Sequence, residues 1–395
     1  MFKRNRMPGL IVFIFLAIQL ACGAALAEPE IAELTELWRA GGEDDEIFFG
    51  SVAAIRSDPD GNILILDGQL SEVHVYTPDG EYLRTVFHEG DGPGEIRQPN
   101  DMFVTADGTI CALAGFPGKI IKVSADGTPA GQTAFSRGEA NQPPMGILNR
   151  GFAMPEGILL VGIRMVFGPV TQQTYFLSLC TDEGVEKTAL IEKKNDIDYA
   201  DFVMTEMGLD FVWSRVAVGP GGTVYVAPER NKYEIQVFDG TGAIVRTIAR
   251  DYTQGPRDKE DKKAAKQILE AIATYYPRPP NSYVTEETQA AIAGLWVTDD
   301  GRLWVQTGDA DKDTPEGSWV VLDIFTPEGE FERQVALPGS YVARQDGLFV
   351  QPDGLIIVVV GALDAFLNQQ AVSSDEDGGE STAQPLEVIC YRMGH

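Results

Sequence analysis

A six-bladed, all-β propeller of four-stranded antiparallel blades is the fold that two features of this sequence predict. One is a Gly-centred turn followed by an apolar strand, which recurs six times along the chain. The other is a strand-like segment ahead of the first repeat that supplies the strand missing from the last. Composition agrees. The 395 residues are 44% hydrophobic, enough for a sizeable core, and 42 Gly and 23 Pro are spread along the chain as short strands joined by turns require.

The six copies are Asp58-Pro59-Asp60-Gly61-Asn62 before ILIL, Ala106-Asp107-Gly108 before TICAL, and Pro155-Glu156-Gly157 before ILLV. Pro220-Gly221-Gly222 before TVYV, Asp299-Asp300-Gly301 before RLWV and Pro352-Asp353-Gly354 before LIIVVV complete the set. Each Gly supplies the positive φ that a tight hairpin needs, and β-branched or aromatic residues follow it. A second strand pair follows each copy, as in VHVYTPDGEYLRTV from Val73 to Val86. The sixth copy stops at LEVICYRMGH, one strand short. Glu30 to Ala40 (EIAELTELWRA) is therefore predicted to complete the last blade and close the ring without an open sheet edge.

Blade four carries a nameable pattern: Val216-Ala217-Val218, Gly221-Gly222-Thr223-Val224-Tyr225-Val226, Asn231, then Ile235-Gln236-Val237-Phe238-Asp239 and Gly242. Gly90-Asp91-Gly92-Pro93-Gly94-Glu95, with Pro99 beyond it, reads as a blade connector. In these runs the chain resembles NHL-repeat and related six-bladed propellers of exported bacterial type. The resemblance implies the architecture over residues 30–395 and says little about activity.

Residues 1–27 read as a signal peptide. Lys3, Arg4 and Arg6 form a basic start, Leu10 to Leu20 is an apolar run, and Ala25-Leu26-Ala27 fits a signal peptidase. The apolar run falls short of the roughly 20 residues that span a bilayer. Leu20-Ala21-Cys22-Gly23 also resembles a lipoprotein cleavage site, so the expected location is periplasmic or secreted, with outer-membrane anchoring through Cys22 as the alternative. The mature chain, residues 28–395, is expected to be one propeller with a helical insertion at 251–290 and an acidic flexible loop at 373–384. Within the insertion, Lys259 to Tyr276 places Ala265, Ile268, Leu269, Ile272 and Tyr276 on one helical face, ended by Arg278-Pro279-Pro280. Cys111, Cys180 and Cys390 sit in apolar strand-like runs and read as buried and inert.

Loop length distinguishes the two faces of the ring. Short Asp-Gly and Glu-Gly turns join the first to the second strand and the third to the fourth. The longer excursions, at 87–100, 163–173, 191–213, 251–290, 307–318 and 361–385, all fall on the opposite face. Function is expected on that face, over the central channel. Asn100, Asp101, Trp213, Arg215, Gln345 and Asp346 are predicted to rim the channel at the starts of the inner strands. Phe116, Arg164, Arg230 and Asn231 are predicted to overhang it from loops. Arginines, carboxylates and aromatics together suit a polar or anionic small molecule, a peptide or a protein partner. Each of these residues also has a local reading, as a strand cap or a partner to its neighbours.

Charge and motifs exclude several chemistries. Lys plus Arg total 31 against 59 Asp plus Glu, a formal charge of −28 that repels nucleic-acid phosphates and anionic lipid. His74, His88 and His395 cannot converge on one axial zinc from separate blades. No Gly-x-Ser-x-Gly elbow and no phosphate-binding GK[ST] loop occurs. Calcium is the one cofactor with candidates, Asn100, Asp101 and Asp346, as in lactonase-type propellers, but Arg215 opposes a metal there. Asp309 to Asp313 opens like a calcium loop and lacks its glycine and closing glutamate. The favoured reading is a non-enzymatic binding scaffold, and the alternative is a calcium-dependent lactonase, hydrolase or lyase.

Overall fold

In a computed structural model the described residues are 28–43, 47–137, 145–209, 211–308, 314–374 and 385–394. Residues 1–27, read from sequence as a signal peptide, with Cys22 among them, Asp309 to Asp313 and most of the acidic stretch 373–384 lie outside them. The chain enters with β1 (Glu30–Ile31) and β2 (Leu34–Gly41). Blade one is β3 (Val52–Ser57), β4 (Ile63–Asp67), β5 (Glu72–Tyr76) and β6 (Tyr82–Val86). Blade two is β7 (Pro99–Val104), β8 (Ile110–Ala114), β9 (Lys119–Val123) and β10 (Pro129–Ala134). Blade three is β11 (Met145–Ala153), β12 (Ile158–Val166), β13 (Thr171–Cys180) and β14 (Glu186–Ile197), followed by β15 (Val203–Thr205). Blade four is β16 (Val216–Gly219), β17 (Thr223–Val226), β18 (Glu234–Phe238) and β19 (Ile244–Ala249), followed by α1 (Lys259–Ala273) and β20 (Ser282–Val284). Blade five is β21 (Gly294–Val297), β22 (Leu303–Gln306), β23 (Ser318–Phe325) and β24 (Phe331–Pro338). Blade six is β25 (Gly347–Val350), β26 (Ile356–Val360), α2 (Ala362–Ser374) and β27 (Glu387–Met393).

The predicted closure is present. β2 pairs antiparallel with β27 and forms the fourth strand of blade six, from Leu34↔Met393 to Gly41↔Glu387. One feature goes beyond it: β1 adds to the outer edge of blade five, parallel to β24. The turn glycines adopt the positive φ expected of them, including Gly61, Gly108, Gly157, Gly301 and Gly354. At Gly157 the demand is steric as well as conformational, since a Cβ would stand 2.1 Å from the Cys180 carbonyl oxygen.

Apolar clusters lie between neighbouring blades. One joins Ile63, Ile65 and Tyr76 of blade one to Ile357, Val359 and Val388 of blade six, with Trp38 of β2 stacked on Tyr76 at 5.5 Å. Such burial, about 25 cal/mol per Å² of apolar surface, holds a ring together seam by seam. Cys111, Cys180 and Cys390 are free thiols buried in these seams, and burial pushes each up to about 12.

The structure departs from the sequence reading in three places. Blade three has longer strands than its neighbours, so 163–173 and the start of 191–213 are mostly strand, with only a short turn between Val166 and Thr171. α1 stops at Ala273, short of Arg278. There Thr274 turns its hydroxyl back to the Ala271 carbonyl at 2.7 Å, and the freed chain packs Tyr276 against Phe202. The chain also has two helices among the described residues, not one, because the second-to-third loop of blade six opens as α2.

Candidate functional site

The long-loop face carries a core of its own. Ile197 at the end of β14, Phe202 just before β15, Met204 within it, and Leu269, Ile272 and Ala273 of α1 are buried together, with Tyr276, Tyr283 and Phe366 of α2 packed on them. β15 and β20 form a small parallel sheet that links the connector after blade three to the connector after blade four. The Gln370 amide of α2 donates to the Tyr275 hydroxyl at 2.6 Å, carrying the assembly across to blade six. An amphipathic helix cannot hold its apolar face in isolation, so α1 depends on these insertions as they depend on it. Asp258 begins α1 with a capping box, its carboxylate on the Asp261 N–H at 2.7 Å and the Asp261 carboxylate on its own N–H.

Glu206 latches this cap to the ring. It accepts from Arg230 Nη2 at 2.9 Å, Arg257 Nη1 at 2.6 Å and the Glu286 N–H at 2.9 Å. Burial raises its carboxyl, but the Arg257 hydrogen bond, the Glu286 N–H and the two positive charges outweigh that and leave it below the ordinary 4.5. Beside the latch is a cavity of about 170 Å³, bordered by Asp196, Asp198, Asp201, Thr205, Phe202 and Tyr276 among others.

The residues singled out from sequence divide into several groups. Arg230 and Asn231 belong to the latch: Arg230 is buried and donates to Asn231 Oδ1 at 3.0 Å and to the Thr288 carbonyl at 2.8 Å. Arg164 is a strand residue of β12, not a loop residue. It bonds Glu186 at 2.9 Å, meets Glu192, and lies over the Phe176 ring at 4.9 Å. Phe116 and Trp213 do face outward on the long-loop side, 62% and 43% exposed. Arg215 is buried just before β16, its carbonyl accepting from the Ala227 N–H.

Two of the three calcium candidates are carboxylates committed to other partners. Asp101 is buried, with one oxygen on Arg56 at 2.6 Å and the other on the Gly151 N–H at 3.0 Å. Asp346 holds its own loop through the Val342 and Gly361 N–H groups, each at 2.8 Å. The Asn100 amide donates to the Leu148 carbonyl at 3.0 Å. The Asp101 and Asp346 oxygens, already committed to donors, are poor ligands for a hard cation. Among the described residues no group of three His, Cys, Asp or Glu is placed to hold a metal.

The exposed large apolar side chains are distributed unevenly. Phe48, Leu70, Phe116, Val166, Phe167, Val170, Val203, Met207, Trp213, Tyr275 and Val284 lie on or beside the long-loop face. Ile31, Tyr82, Leu83, Ile244, Val245 and Phe331 are on outer strands. Three of these, Tyr82, Ile244 and Phe331, begin their strands directly after short turns.

Comparison with known proteins supports the architecture. A family model described as a 6-bladed beta-propeller matches residues 44–136. A member of the DUF4221 family from Bacteroides vulgatus aligns over 93% of this chain and 99% of its own, at 9% identity and a TM-score of 0.53. A Bacteroides fragilis protein whose name calls it exported aligns over 92% and 96%, at 12% identity and a TM-score of 0.45. A gluconolactonase of Xanthomonas campestris aligns over 91% and 90%, at 11% identity and a TM-score of 0.43. No curated protein matches by sequence. The chain is a six-bladed propeller. At such identities the likeness extends to the ring and no further.

Proposed function

We propose that this propeller is an exported, non-enzymatic binding scaffold whose long-loop face docks a peptide segment of a partner protein over the channel mouth. The observation that carries the reading is the concentration of exposed apolar side chains on the long-loop side, with Phe116 and Trp213 the prominent aromatics. Monomer surfaces scatter such residues singly, and their concentration on one face marks an interaction surface. The cap, latched through Glu206, walls the blade-three-to-six side of that surface and leaves Phe48, Leu70 and Phe116 open on the other. Export rests on the basic start, the apolar run and Ala25-Leu26-Ala27, with periplasmic release or lipidation at Cys22 as its two outcomes. The blades are read as NHL-like on the blade-four run from Gly221 to Val226 and on Asp239.

A photo-crosslinking residue placed at Phe116, at Trp213 and, on the opposite face, at Asp126 tests the reading. Discrete adducts are expected from the first two positions only, and to diminish when Phe167 is changed to Ser. Equal labelling from both faces would refute a one-sided docking surface.

A further inference from the structure

Just inside the mouth, three successive inner strands share one irregularity. Their pairing slips between Val52 and Ala54, between Pro99 and Asp101, and between Leu148 and Arg150. A bulge leaves its extra residue out of the ladder and re-aims the side chains beside it. The extra residues are Ala53, Asn100 and Asn149, and Ala54, Asp101 and Arg150 follow them. The slot is therefore apolar in blade one and polar in blades two and three.

Polar contacts then step from blade to blade. Arg56 of blade one bonds Asp101 of blade two at 2.6 Å, Asp101 accepts the Gly151 N–H of blade three at 3.0 Å, and Arg150 donates to the Val216 carbonyl of blade four at 2.8 Å. Arg56 thus pairs with Asp101, and both charges are felt by Arg150, inside a chain whose formal charge is −28. Arg150 is enclosed by protein yet keeps part of its surface accessible. Burial lowers it to about 10, with Asp101 opposing and Arg56 assisting, so it is still charged at neutral pH.

Asn149 is 3% exposed, and among the described residues neither Oδ1 nor Nδ2 has a hydrogen-bond partner. A buried amide left so is costly, and native structures seldom retain one without a use. Its counterpart Asn100 reaches across the seam to the next blade, at Leu148. Asn149 in the same slot fronts the seam between blades three and four, which Arg150 also crosses.

We propose that Asn149 and Arg150 form a subsite for the C-terminal carboxylate of a docked peptide. The planar guanidinium of Arg150 takes the carboxylate in a two-point contact. The Asn149 amide pairs with the last peptide unit, giving an N–H to its carbonyl and accepting its N–H. Arg56 adds positive charge behind Arg150. The subsite deepens the docking reading and rests on it for the direction from which the peptide arrives.

Titration of the full chain with N-acetylglycine, by calorimetry and by thermal unfolding, tests the subsite. A saturable response is expected, with N-acetylglycinamide, which lacks the charge, binding at least about tenfold more weakly. Asn149→Leu removes no observed partner. It should weaken N-acetylglycine binding about tenfold while leaving the unfolding midpoint equal or higher. Arg150→Lys keeps the charge, loses the fork and should weaken binding as well, which serves if Asn149→Leu does not fold. No saturable response, equal binding of the amide, or unchanged binding by these variants overturns the subsite. Cross-linking at Phe116 and Trp213 involves neither residue, so adducts that form without any N-acetylglycine response would refute the subsite and leave the docking face standing.

Discussion

Changing Glu206 to Ala should release the cap without unfolding the ring. Among the described residues the carboxylate is the only acidic partner of Arg230 and Arg257, whose side chains are 6% and 11% exposed. Removing it strands two buried cations and orphans the Glu286 N–H. Breaking a buried pair by deleting one partner costs about 3–5 kcal/mol. The side chain of Glu206 is itself 14% exposed, so water recovers part of this and about 3 kcal/mol is the working figure. The seams between blades do not include Glu206, so the loss falls on the local opening of α1, β15 and β20, raising it roughly 150-fold. Amide hydrogen exchange measured peptide by peptide reads that directly. Exchange should accelerate over 259–273 and 282–284 while β4, β5 and β26 keep their protection. The same latch weakens in acid. A carboxyl held below its unfolded value contributes stability that is present above about pH 4.5 and lost as pH falls through the folded value. Wild-type cap exchange should therefore rise below pH 4.5, and that rise should be absent from Glu206→Ala. Exchange that accelerates evenly over ring and cap, or not at all, would refute the latch.

Two further outcomes follow from buried groups. Burial holds the His74 imidazole below the ordinary 6.5, with Glu72 and Asp67 opposing, so protonation favours the unfolded chain. Stability should fall as pH drops below about 6.5, and the fall should be smaller in His74→Gln, measured by urea unfolding at pH 7.5 and pH 5.5. Cys111, Cys180 and Cys390, with thiols near 12, should resist iodoacetamide in the folded chain and react once it is denatured, as peptide mass mapping will show.

The ring was legible because its signals are local and repeated. A glycine that must adopt positive φ, such as Gly61 or Gly301, and the apolar strand after it announce a hairpin within a dozen residues. Closure was legible because a strand was visibly missing at one end and present at the other. Blade three was misread because its strands outrun the usual length, so polar residues such as Lys194 and Asp196 near the end of β14 looked like loop. α2 was missed because Ala362 to Gln370 stands where the repeat predicts a loop, although its Ala, Leu and Gln content favours helix. The latch depends on contacts between Glu206 and residues up to 80 positions away, which no local pattern encodes. The Asn149 slot left a fainter trace: once β3, β7 and β11 are aligned by their bulges, Asn100 and Asn149 coincide.

The parallel edge strand β1 also fixes an orientation. β24 runs from a short turn toward the long-loop side, and β1 runs beside it in the same direction, on the rim of blade five. At Glu30 and Ile31 the chain therefore runs from the short-turn side toward the long-loop side. A tether attached upstream, to lipid or to another domain, would hold the ring with its short turns toward the anchor. The apolar arc and channel mouth would then face away from the supporting surface, and a partner could reach them without passing between the propeller and that surface.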